Sequence, residues 1–187
     1  SLRNAVQHVR RGMKNKGFSN VLVVRDDRIG DVLLATPVFR ALKESFPGCR
    51  VSALVRQNTR DLLEGNHLLD EILVDDNTGA HAGLKGFLKL VLEIRKRKFE
   101  AALVLWPSRR NMKLMFWGGV KKRLSFGRKI YQLMYGTGVR TRKPEHLQSP
   151  EVENNLDVAR LIGADTENKD LVLVLSGDDR KFAERYF

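Results

Sequence analysis

Apolar residues along this chain follow two alternating rhythms. Val21 to Val24, Val51 to Val55, Ile72 to Val74 and Ala101 to Leu105 are short apolar runs, broken only by Ser52, the mark of strands buried on both faces. Between them the apolar positions recur every three or four residues, as on one side of a helix: Val32, Ala35, Phe39, Leu42 and Phe46, then Leu84, Phe87, Leu88, Val91, Leu92 and Ile94. Strand and helix alternate with crossovers long enough for right-handed βαβ units. The prediction is an α/β fold, Rossmann-like, with a parallel sheet and helices on both faces.

Local signals refine the elements. Pro37 interrupts the first helix, which either kinks there, the reading we favour, or restarts with Thr36 as cap and Pro37 as first residue. Asn58 or Thr59 is expected to cap a short helix through Leu62 and Leu63 to Gly65. Arg95 to Lys98 place four cations at the negative end of a helix dipole. Met112 to Trp117 reads as a short helix, Arg123 to Phe126 as a fifth strand and Thr137 to Pro150 as a loop. Val152, Leu156, Ala159 and Leu161 mark a last core helix closed by Gly163. Leu2 to Met13 is a basic, helical lead-in. At the other end, Leu171 to Leu175 is strand-like and Ser176 starts a helix through Phe187 that needs a surface to pack on. The expected organisation is a basic extension over 1–20, a Rossmann-like body over 21–165, and a connection over 166–187 leading to a second domain.

Charge adds a clue to partners. The net charge is +12, and eleven Lys or Arg lie between Ala101 and Pro144 without one acid, with five more in the first 20 residues. Two basic blocks of this kind either concentrate phosphates, nucleic acid or an anionic lipid surface, or form a solvated face. Met112, Met115, Phe116 and Trp117 interleave apolar bulk with Arg109, Arg110 and Lys113. They are either core packing or a lipid-facing cluster, and the exposure of Trp117 separates the two. The single cysteine, Cys49, excludes an internal disulfide and suits a reducing, cytosolic compartment. No run of about 18 apolar residues predicts a membrane span. The four histidines show no ligand spacing, so no metal site is expected.

Ligands of a parallel sheet bind outside the carboxyl ends of its strands, and here the first such turn is Arg28-Ile29-Gly30-Asp31. Gly30 permits a tight bend or the close approach of a substrate. Asp31 has two readings: a helix cap worth typically ~1 kcal/mol, or a general base for an acceptor hydroxyl that works by position. The turn has neither of the Gly-rich phosphate cradles, which disfavours a dinucleotide or nucleoside triphosphate in it. Arg56, Arg60, Arg109, Arg110 and Arg128 are expected to flank the same cleft and hold an anion.

Four stretches carry a resemblance. The run from Val21 to Arg56, above all R-x-G-D-x-x-x-x-x-P over Arg28 to Pro37, resembles the start of family 9 glycosyltransferases, the lipopolysaccharide heptosyltransferases. Asn66 to Leu73 is similar to that family's N-P-x-(I/V)-D-E-(I/V) segment, with His67 in place of proline. Phe99 to Ser108 resembles its fourth strand and loop, although Glu100 and Trp106 depart from the usual residues, and His146 to Gly163 resembles its last helix. The resemblance implies the N-terminal half of a GT-B architecture, which holds the acceptor and is inactive alone, while a C-terminal half, absent here, binds the nucleotide sugar. It implies inverting, metal-independent transfer of heptose from an ADP-sugar to an anionic glycolipid acceptor, with Asp31 as base and peripheral contact with the inner membrane. The rival reading is a non-enzymatic module that binds nucleic acid or another polyanion through its charge. It lacks a recognition motif.

Overall fold

The computed structural model describes residues 17–127, 130–140 and 150–174, and Arg185. Six strands form one sheet: β1 (Asn20–Val24), β2 (Arg50–Val55), β3 (Glu71–Val74), β4 (Ala101–Val104), β5 (Lys122–Phe126) and β6 (Gly138–Arg140). All neighbours are parallel, in the order β3-β2-β1-β4-β5-β6. The order reverses between β1 and β4. This is the doubly wound arrangement, and it opens a crevice at the carboxyl ends of those two strands.

The helices are α1 (Ile29–Leu33), α2 (Thr36–Ser45), α3 (Gly83–Arg97), α4 (Arg109–Trp117), α5 (Ile130–Tyr135) and α6 (Glu151–Arg160). Two separate cores show that both faces of the sheet are covered. Val21 and Val23 of β1 pack with α2 and α6, whereas Leu22 and Val24 point the other way, into α3 and α4. Alternate side chains of one strand thus serve opposite layers, which is why the central strands read as near-continuous apolar runs.

Several expectations are corrected. The helix does not kink at Pro37 but stops at Leu33 and restarts at Thr36, with Ala35 as cap residue and Pro37 in the first turn. The Thr36 hydroxyl donates to the Leu33 carbonyl, the acceptor that Pro37, having no N–H, would leave empty in a continuous helix. No helix forms through Leu62. Two short 3₁₀ turns, Gln57–Thr59 and Asp61–Leu63, stand there, and Thr59 turns its hydroxyl back to the Arg56 carbonyl rather than capping. The stretch expected as a loop contains β6, which lengthens the sheet beside β5. Leu171 to Val174 form no strand. Val172 N–H donates to the Thr36 hydroxyl instead, and Val174 packs against Gly65. The lead-in over 1–16 and the helix expected from Ser176 lie outside the described residues, Arg185 excepted.

On α4 the methionine and aromatic cluster divides: Met112 and Met115 are buried in the second core, while Phe116 and Trp117 are exposed. The α3 stripe divides likewise, with Leu90, Val91 and Ile94 buried and Leu84, Leu88 and Leu92 facing outward. No helix among the described residues is long and apolar enough to cross a membrane.

Candidate functional site

The first turn after β1 is organised by a buried arginine. Arg25 follows the last residue of β1, is 4% exposed, and reaches four parts of the chain. Its Nε donates to Asp27 (2.8 Å), its Nη2 lies 3.1 Å from Asp31, and its Nη1 donates to Glu151 (3.0 Å), Asn155 (3.1 Å) and the Leu105 carbonyl (3.2 Å). A planar guanidinium with donors in a fixed fork can satisfy so many acceptors at once. The β1 turn, the first turn of α1, the end of β4 and the start of α6 are therefore pinned to one side chain. Asn155 secures the same junction from α6 by donating to the Leu34 carbonyl (3.0 Å).

Asp31 sits in the first turn of α1 but does not cap it. The cap residue is Arg28, whose side chain makes no capping bond. The Asp31 carboxylate is instead paired with Arg25 and remains 28% exposed. It opens into a pocket of about 430 Å³ lined by Arg25, Asp27, Arg28, Asp31, Arg56, Trp106 and Glu151. Burial pushes the Asp27 carboxyl above the usual aspartate range, against the pull of Arg25 beside it. Gly30 has no positive φ, and a methyl group added there would meet no atom within 4 Å. A tight bend is not what calls for glycine at this position; the space beside it is open.

The expected cations part company. Arg28 and Arg56 share the pocket with Asp31. Arg109 and Arg110 line a separate groove between α3 and α4, with Gly83, Leu84, Phe87, Leu88, Lys113, Trp117 and Tyr135. Arg110 grips the buried Asp75 at the end of β3 with two bonds (2.6 and 2.9 Å) and donates to the His81 carbonyl, so its guanidinium has a structural task. Arg60 pairs with Glu64 one helical turn on (3.1 Å). Arg128 lies outside the described residues.

Next to Arg25 in the same turn, Asp26 is buried and accepts from Asn111 Nδ2 of α4. Burial raises its pKa, with the Asn111 bond and Arg56 pulling the other way. Asn111 also donates to the Trp106 carbonyl, and Ser108 caps α4 by accepting from the Asn111 N–H (3.0 Å). The carboxyl ends of β1, β3 and β4 are thereby tied to the start of one helix. Sequence reasoning missed Arg25, Glu151 and Asn155 as site residues. Only Arg25 carried a signal, as a cation placed directly after the unbroken apolar run Val21 to Val24.

Fold and pocket together define the class: a doubly wound α/β unit whose polar crevice lies at the strand-order reversal. Comparison narrows it. A Haemophilus influenzae protein named "Putative glycosyltransferase" is 31% identical over 143 residues, 76% of this chain and 40% of its own. The lipopolysaccharide core heptosyltransferase OpsX of the same organism is 24% identical over 167 residues, covering 89% of this chain and 47% of its own. The crystal structure of a family 9 glycosyl transferase from Veillonella parvula superposes with a TM-score of 0.78 at 20% identity, over 90% of this chain and 48% of its own. No family model matches the chain. The chain is family 9 heptosyltransferase-like in sequence and fold, and it spans less than half the length of each of these relatives.

Proposed function

We propose that this chain is the acceptor-binding half of a glycosyltransferase that moves heptose from an ADP-sugar to the lipopolysaccharide inner core. The observation that carries the reading is the state of Asp31: a carboxylate that does not cap its helix, is held by Arg25 and opens into a pocket with Arg28 and Arg56. A group placed in this way can accept a proton without moving. In the proposed reaction an acceptor hydroxyl loses its proton to Asp31 as its oxygen bonds the anomeric carbon. The bond from that carbon to the diphosphate breaks, ADP leaves, and the anomeric configuration inverts. The reaction so written uses no metal. Arg28 and Arg56 would hold an anionic group of the acceptor, and the nucleotide sugar would be presented by the half of the relatives' length that this chain does not span. Peripheral contact with an anionic membrane at the cytoplasmic face completes the reading, because the acceptor is a lipid.

The test is a pair of substitutions in an enzyme that joins this chain to a sugar-nucleotide half. Asp31→Asn and Asp31→Ala should each lower kcat at least ~100-fold, as removal of a general base does, with acceptor affinity nearly unchanged. Thermal melts should show both variants folded. Full turnover by Asp31→Asn would end the catalytic assignment.

A further inference from the structure

One exposed face remains unexplained by the pocket or the core. On α3, Leu84, Leu88 and Leu92 stand one turn apart in a single outward line, Leu84 being 74% exposed. Lys85 and Lys89 stand beside that line, both exposed. Across the groove, α4 contributes Trp117, 54% exposed, and Lys113 one turn before it. The apolar walls continue through Tyr135 to α5, where Leu133 and Met134 are also exposed. The groove measures about 610 Å³. Neither Gly83 to Leu92 nor Ala101 to Pro144 contains an acidic residue.

We infer that the outer face of α3 and α4 is the surface by which the protein docks on an anionic lipid bilayer, with Leu84, Leu88 and Trp117 entering the headgroup layer and Lys85, Lys89 and Lys113 meeting lipid phosphates. Leucine and tryptophan standing level with lysines, with an acid, Glu93, entering only one turn past Lys89, is the composition of an interfacial helix face. A protein partner fits less well, since the cores of protein interfaces are depleted in lysine and three lysines interleave here. Large apolar side chains clustered on an exposed face mark an interaction surface. The inference takes up the membrane contact in the proposed function and gives it a location, but it is measured without sugar nucleotide or acceptor, so it can fail while the transfer reading stands.

The experiment is co-sedimentation with vesicles of phosphatidylcholine alone or with one third phosphatidylglycerol, at 0.1 M salt. Binding is expected to the anionic vesicles. Each lysine near such a surface contributes about fivefold in affinity, so Lys85→Gln/Lys89→Gln should lose about 25-fold. The matched pair Arg50→Gln/Lys121→Gln, exposed residues at the amino edge of the sheet, should lose less than about threefold at this ionic strength, where the charge field is short-ranged. In a Trp106→Phe background the emission of Trp117 should shift to the blue on adding anionic vesicles, and Leu88→Glu should prevent the shift. Equal losses in the two charge pairs would show binding by net charge and overturn the inference. So would pelleting without a Trp117 shift, or no binding at all. A dimer in solution that Leu88→Glu dissociates would assign the face to a second copy instead.

Discussion

At the scale of single residues, the site depends on one charge arrangement. Arg25 is buried among Asp27, Asp31 and Glu151, and removing it would leave those carboxylates without their common partner. Breaking a buried pair from one side typically costs about 3 kcal/mol or more. Arg25→Met should therefore lower Tm by roughly 6–12 °C for a domain of this size, read by circular dichroism. Arg25→Lys should recover part of that loss, because one ammonium cannot reach acceptors on four segments. Asp26 makes the opposite case. Its folded pKa is raised above the ordinary 3.8, so the native state binds the proton more tightly and becomes less stable as pH rises through the window above that value. Asp26→Asn keeps an acceptor for Asn111 and removes the buried charge. Urea midpoints from pH 3 to 8 should show the variant gaining on the wild type as pH rises, then running parallel to it. A constant difference would mean that the carboxyl of Asp26 titrates alike folded and unfolded.

Secondary elements show what periodicity can and cannot specify. The four strands legible as apolar runs, the fifth read at Arg123 to Phe126, and the helices between them are present because each has a buried side that constrains its composition. The sixth strand, with only three residues at the sheet edge, carries no such constraint. The Pro37 restart was open to either reading because proline suits an interior kink and a first turn alike, and the Thr36 hydroxyl decides it. For α3, apolar periodicity took in the outward Leu84, Leu88 and Leu92 with the core positions, since hydropathy does not distinguish a core from another apolar destination. What fixes α3 against its neighbours is Gly86. A methyl group there would lie 2.4 Å from the His81 carbonyl carbon and 2.6 Å from its Cα, both backbone atoms. Gly86→Ala should cost about 1–3 kcal/mol through overpacking, measured by denaturant titration, despite alanine's better helix propensity. Unchanged stability would mean that the 76–82 turn yields freely.

For the molecule as a whole, the parallel sheet and the place of the first turn could be read from the chain, whereas the strand order and the partners of Arg25 could not. Glu151 and Asn155 lie 126 and 130 positions away. Such pairings belong to three-dimensional packing and leave no local pattern. If sugar transfer needs a second half to position the donor, these 187 residues alone should show no transfer from ADP-heptose above background. The proposal then requires that turnover appear when a sugar-nucleotide half is supplied in the same protein. The Arg25 junction also sets an order of events during synthesis. The turn bearing Asp31 leaves the ribosome early, with β1, yet two of the groups that clamp its arginine belong to α6 and follow more than a hundred residues later. Until α6 docks, Arg25 has only its nearest acceptors, so a chain that ended before Glu151 would carry an unfinished pocket.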